Sequence, residues 1–315
     1  MRLVYLGTPA TAVPPLRALH AAGHEIVLVV SRRDARRGRG SARTPSPVKA
    51  AALELGLEVT DDLDEVARVD ADLGVVVAYG RIIPEALLSQ LPMINLHFSL
   101  LPRWRGAAPV ERAILAGDDR TGVCVMDVEV GLDTGGVHAS AEVPIDDAVT
   151  AAELLDQLST LGSELLVATL DAGLGEATPQ AADGVTYAHK LTAQDHELHW
   201  DQDARQLHRV VRVGAAHTTF RGARFKVLEV EPVEGVLEVE PVEGVLEVEP
   251  VEGVLDVEPV EGVLGGVPGT LLDATTVRTG DGALRLVRVQ PEGKAAMDAT
   301  AWANGARPAG EVLGT

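Results

Sequence analysis

Only one cysteine, Cys124, stands among 315 residues. That excludes a disulfide framework and any multi-cysteine zinc or iron–sulfur site, and a reducing compartment is expected. Lysine is scarce as well, with four against 23 arginines, a bias from which we draw no function. Long apolar runs are missing. None approaches the roughly 18 residues that a membrane helix needs, and the short run after Arg2 meets proline at Pro9, too early for a signal-peptide core. A soluble cytoplasmic protein with no membrane partner is the expectation. A dinucleotide fingerprint is absent too: GTPATA after the first apolar run lacks the G-x-G-x-x-G spacing, which speaks against a nicotinamide cofactor.

The length suits a core domain with an appendage, and 46% apolar residues suffice for a sizeable core. The net charge of −20 argues at face value against a polyanionic partner. Its distribution reverses that. Twelve acids and no base lie in residues 227–262, whereas residues 31–49 hold six arginines and Lys49 against Asp34, a local +6. The acidic stretch is VLEVEPVEG four times over, with Asp256 in the last copy where the others have glutamate. A nine-residue unit with a proline and a glycine in each copy is no solenoid period. We read it as an expanded segment inside a β-hairpin, a flexible acidic loop. The rival reading is an acidic arm that repels or selects a partner, which deletion of Val236–Gly262 would test through substrate affinity.

RLVYLG, the apolar-periodic run Val13–Ala22 and EIVLVVS read as strand, helix, strand. A helix over Pro47–Leu55 and the apolar strands LGVVVAYG and MINLHFS follow, the pattern of a buried parallel sheet. Thr150 and Glu153 form a capping-box signature before a long helical run. The first domain is placed at 1–183, a polar, His-rich linker at 184–203, and a mostly β second domain at 204–310 ending in a short helix near Ala299–Asn304.

Asn95 and His97 lie two apart on a strand, so they share a face at its C-terminal end, where open α/β sheets place their sites. An asparagine amide can donate to a developing oxyanion, and a histidine exchanges protons near neutral pH. Asp133 occupies a Gly-Leu-Asp-Thr-Gly turn that can present a carboxylate. Singly, each is more often structural than catalytic. Together they could form an acyl-transfer centre. Cys124, in the alternating GVCVMDV, reads as a small core residue.

The segment NLHFSLLPRWRGAAPVERAI with GLDTGG downstream resembles the methionyl-tRNA formyltransferase family. MRLVYLGTPATAVPPLRAL, TPSPVK, VVVAYGRIIP, TYAHKL, TTFRG and GALRLVRVQPEGKAAM extend the resemblance over nearly the whole chain, in family order. It implies a Rossmann-like formyltransferase domain with a parallel sheet and a smaller OB-like β-barrel. It further implies 10-formyltetrahydrofolate as formyl donor, methionyl initiator tRNA as acceptor, no metal, and a monomer. Asn95, His97 and Asp133 fall on the family's catalytic residues, and Ser99, Leu100, Leu101 and Pro102 on its folate-contacting segment. The basic stretch with Arg32, Arg33, Arg36, Arg37, Arg39, Arg43 and Lys49 falls on its acceptor-stem loop. Arg103, Trp104 and Arg105 are additional candidates.

In that chemistry Asn95 and a protonated His97 stabilise the charge on the formyl oxygen, while Asp133 orients His97 and favours its charged form, and it or a water it holds relays the amine proton. The resemblance is imperfect where RVGAAH replaces an aromatic, proline-containing segment ahead of TTFRG, and the repeat has no counterpart. Small-molecule formyltransferases and formyltetrahydrofolate hydrolases would share the three residues, but the second domain and basic loop disfavour them. A non-catalytic RNA-binding module is disfavoured by the intact Asn95, His97 and Asp133.

Overall fold

The structure, a computed structural model, describes residues 1–36, 43–233 and 266–315. Arg37, Arg39 and the repeat beyond Val233 lie outside the described residues. The chain divides into two compact units, Met1–Leu191 and Thr192–Thr315. The stretch 184–203, read from the sequence as a linker, is shared between them. Tyr187–Ala188 pairs in parallel with Arg105–Gly106 of the first unit. The Leu198 N–H donates to the His217 carbonyl at 2.9 Å, and the Trp200 indole donates to Thr218 Oγ1 at 3.1 Å. Leu198 and Trp200 are both buried, so two apolar anchors outweigh the polarity of the residues around them.

The first unit is built on β1 (Arg2–Gly7), α1 (Val13–Ala21), β2 (Glu25–Val30), α2 (Pro47–Glu54), β3 (Val59–Thr60), β4 (Leu73–Val77) and β5 (Met93–His97). It continues through α3 (Pro109–Ala116), β6 (Arg120–Asp127), β7 (Val137–Pro144) and α4 (Ala151–Ala172). The sheet order is β7-β6-β5-β4-β1-β2-β3. β1 to β5 run parallel, and β6 and β7 are antiparallel additions. The order reverses between β1 and β4, so the ends of β1, β4 and β5 flank the topological switch at which such sheets bind ligands.

The alternation of β5 decides which side chains reach that edge. Leu96 faces α4, so close to Gly162 that a Cβ there would stand 2.9 Å from Leu96 Cδ2. Met93 points the other way, into a cluster with Val4, Leu6, Val30, Val76 and Tyr79. Asn95 and His97 share the face of Met93. α4 begins at the capping box expected from the sequence, with the Glu153 N–H donating to Thr150 Oγ1 and Glu153 accepting from the Thr150 N–H at 2.9 Å. The Thr150 hydroxyl holds the Glu153 carboxyl below its usual range.

The second unit opens with α5 (Ala204–Val213), a helix absent from the mostly β reading. Asp203 caps it, accepting from the Gln206 N–H at 2.7 Å, and it buries Leu207, Val210 and Val211. Then come β8 (His217–Phe220), β9 (Ala223–Pro232), β10 (Thr276–Arg278), β11 (Ala283–Pro291), β12 (Met297–Asp298) and α6 (Ala299–Ala306). The antiparallel ladder runs β8-β9-β11-β10, with β12 on β11. Arg221 and Gly222, both at positive φ, make the two-residue turn between β8 and β9. Phe225 and Phe220 pack on Trp302 of α6 with ring centroids 4.7 and 5.1 Å away. The first repeat copy is partly strand: Val227 and Glu231 lie in β9, opposite Val289 and Arg285 of β11. The acidic insert therefore begins inside the ladder rather than after it.

Candidate active site

His97 ends β5 opposite Cys124 of β6 and is 5% exposed. Beyond it the chain makes a tight loop. Ser99 is fully buried, and its hydroxyl donates to the Arg103 carbonyl at 2.6 Å, which turns residues 99–104 back toward the histidine. The Trp104 carbonyl then lies 2.9 Å from His97 Nε2. A carbonyl only accepts, so Nε2 carries the proton and Nδ1 is the nitrogen free to exchange one. Nδ1 faces Asp133 Oδ2 at 3.8 Å.

Asp133 sits at φ +50, a left-handed conformation that aspartate tolerates better than most residues. Its Oδ2 accepts the Gly106 N–H at 2.7 Å. Gly106 is at φ +123, and a Cβ there would stand 2.7 Å from the Ala188 carbonyl oxygen. Only glycine permits this backbone to approach both the carboxylate and the Tyr187–Ala188 strand. The half-buried Asn95 amide makes no hydrogen bond among the described residues, so it is free to donate to a bound group. A free amide donor, a histidine of fixed tautomer and a carboxylate held beside it suit an acyl carbon under attack by an amine.

The other sequence candidates are placed as follows. The Ser99 hydroxyl is spent on closing its loop, Leu100 packs against Gly122 of β6, and Leu101 and Pro102 are half-buried about a cis peptide bond. Arg103 makes a bidentate pair with Asp118 at 2.6 and 2.8 Å, and this hydrogen bonding raises its already high pKa. Trp104 Nε1 donates to the same carboxylate at 2.7 Å. Burial pushes the Cys124 thiol up, away from nucleophilic use.

Within the basic stretch Ala35–Arg36 pairs antiparallel with Arg43–Thr44, a short hairpin pair. Because β1, β2, β4 and β5 are parallel, it leaves the same sheet edge at which His97 sits. Its charges are not alike. Arg33 pairs with Asp61, Lys49 Nζ with Asp34 at 2.7 Å, and Arg32 donates to the Gly80 carbonyl at 3.4 Å. Arg36 and Arg43 face one another across the ladder, exposed and without an ion pair among the described residues.

Trp104 as an acceptor, Gly106 as a donor and Gln180, which donates to the Asp133 carbonyl, were not visible in the sequence. Two act through the backbone, Trp104 from the loop that follows β5, and Gly106 and Gln180 meet Asp133 from segments 27 and 47 residues away. Among the described residues no cluster of three or more His, Cys, Asp or Glu could hold a metal, and no helix is long and apolar enough to cross a membrane.

Residues 1–170 match the family described as formyl transferase, and residues 190–307 match the formyl transferase C-terminal domain. A methionyl-tRNA formyltransferase from Methylobacterium sp. (strain 4-46) is 44% identical over 98% of this chain and 97% of its own. The chain belongs to the methionyl-tRNA formyltransferase family. A second member, from Gluconacetobacter diazotrophicus, is 40% identical over the full length of both chains. Among solved structures, a family member from Clostridium thermocellum covers 75% of this chain and 95% of its own with a TM-score of 0.57 at 15% identity. HypX from Aquifex aeolicus, in complex with tetrahydrofolic acid, covers 96% of this chain and 46% of its own with a TM-score of 0.61 at 16% identity. At those identities the structural likeness speaks for the fold.

Proposed function

We infer that this chain transfers the formyl group of 10-formyltetrahydrofolate to the α-amino group of methionyl initiator tRNA, in the service of translation initiation. The observation that carries this is likeness to methionyl-tRNA formyltransferases across both units, 44% identical over 98% of the chain. The residues fit it. The folate supplies an activated formyl group, which calls for an oxyanion donor and a proton carrier at one place, and Asn95, His97 and Asp133 offer both.

In the transfer a carbon–nitrogen bond forms to the amine and another breaks at the folate, while one proton moves from the amine to the departing nitrogen. Asn95 donates its amide to the formyl oxygen as charge develops there. Asp133 Oδ1, with no protein partner among the described residues, takes the amine proton directly or through a water. His97, anchored at Nε2 by Trp104, stands with Nδ1 ready to share that proton. Ser99, Leu100, Leu101 and Pro102 shape the adjoining folate wall. The hairpin region with Arg32, Arg33, Arg36, Arg37, Arg39, Arg43 and Lys49 meets the acceptor stem. The reading carries with it a monomeric protein acting in the cytoplasm.

The test is mass spectrometry of the aminoacyl product after incubation with 10-formyltetrahydrofolate and methionyl initiator tRNA, with methionyl elongator tRNA alongside. Formyl-methionine on the initiator alone is expected. Folate consumption with neither tRNA formylated would move the acceptor to a small molecule.

A further inference from the structure

We propose that Gln180 is a positioning residue for Asp133, clamping the backbone of the loop that carries the carboxylate. The inference rests on the formyl-transfer reading of the same site and adds to it a residue that acts through Asp133. Gln180 Nε2 donates to the Asp133 carbonyl and to the Gly135 carbonyl, both at 2.8 Å. Its Oε1 accepts from Arg105 Nε at 3.0 Å and Nη2 at 2.7 Å. Carbonyls only accept and a guanidinium only donates, so the amide can sit one way round, and all four of its hydrogen-bonding positions are used.

The clamp is itself held. Thr178, two residues earlier, exchanges both backbone hydrogen bonds with Val137 at the neck of the loop, at 2.8 and 2.9 Å. Arg105 receives its place from the Thr186 carbonyl, 2.9 Å from its N–H. Arg105 also precedes Gly106, whose N–H holds the Asp133 carboxylate. The contacts close a ring: the Asp133 backbone to Gln180, Gln180 to Arg105, Arg105 to Gly106, and Gly106 to the Asp133 side chain. Asp133 is thereby gripped at both ends in a left-handed conformation that its own backbone does not favour. Release of either end swings the carboxylate away from His97 Nδ1.

The experiment places Gln180→Glu and Gln180→Leu in the unaltered protein and in an Asp133→Asn background, and measures kcat, KM for both substrates, and thermal melting. Gln180→Glu is the sharper variant, because it is nearly isosteric and keeps an acceptor for Arg105 while losing both donors. It is expected to lower kcat by about tenfold to a hundredfold, with either KM changed by less than about twofold. In the Asp133→Asn background the same substitution should cost less than about twofold, because the group it positions is already disabled. Arg105→Met, which leaves both donors in place, should fall between.

Equal losses in the two backgrounds, a loss confined to KM, or an unchanged kcat would overturn the proposal. Amide hydrogen exchange over residues 128–136 provides an arm independent of turnover. Gln180→Glu should accelerate it, and an unchanged rate also overturns the clamp. If the unaltered protein formylates no tRNA, the functional reading falls while the exchange result still judges the clamp.

Discussion

The loop around Asp133 and the hairpin around Arg36 lie in the same unit, and they treat charge in opposite ways. At Asp133 the polar groups are closed on one another: Gly106 N–H to carboxylate, Gln180 to two carbonyls, Arg105 to Gln180. At the hairpin two arginines occupy directly opposite positions, an arrangement that costs stability in an antiparallel pair. Internal pairing of the loop preserves a geometry, while the Asn95 amide and Asp133 Oδ1 are left for a bound substrate. Charge left unbalanced against the interest of the fold suits an external anion, and a phosphate backbone is one. The charge sum of the sequence could not draw this distinction, because it counted Arg33 and Lys49, already matched by Asp61 and Asp34, equally with Arg36 and Arg43.

The largest effects should come from the closed region. Asp133→Asn or Asn95→Ala should lower kcat by about 10²–10³, read by single-turnover formylation, with the melting temperature little changed. Near-normal rates in either would break the assignment of that region to chemistry. Next comes Gly106→Ala. The added Cβ meets the Ala188 carbonyl at a φ that alanine rarely adopts, so a loss of about 1–3 kcal/mol in stability is expected by denaturant titration, with a fall in kcat as the hydrogen bond to Asp133 lengthens.

The hairpin should respond more gently and in a different quantity. Replacing Arg36 and Arg43 by glutamine should raise KM for tRNA, leave KM for folate alone, and flatten the salt dependence of tRNA binding by about one unit per lost phosphate contact. Arg33→Gln should do less, since its charge is already met by Asp61. Equal effects from Arg33 and Arg36 would erase the contrast within the hairpin. The smallest effect concerns Cys124. Burial raises its pKa, so the thiolate fraction stays low near pH 8, and alkylation by iodoacetamide should be slow until the protein is unfolded.

How much could be read in advance depended on where each contact originates. Asn95 and His97 were legible because alternation along a strand is a property of the backbone itself, and the capping box of α4 because its two partners are three residues apart. Asp133 carried only a turn signature, and the family resemblance singled it out. Gln180 and Gly106 were not legible. Gln180 reaches carbonyls 47 and 45 residues away, and no local pattern distinguishes such a glutamine from a surface one. α5 was missed within a stretch read as mostly β, although its apolar residues recur at helical spacing. The boundary between the units, at Leu191 and Thr192, falls inside the stretch read as a linker, whose overall polarity conceals the buried Leu198 and Trp200.

The entry of the first repeat copy into β9 changes the meaning of the other three. Val227, Val230 and Glu231 meet Val289, Leu286 and Arg285 across the ladder, and every later copy repeats those three residue types at the same spacing. The part of the strand from 227 to 232 is thus spelled four times, once every nine residues, apart from Asp256. Loss of any one copy restores the same strand from its neighbour, and gain of one leaves it unaltered. A change in copy number therefore leaves ARFKVLEVEP, the sequence of β9, as it is.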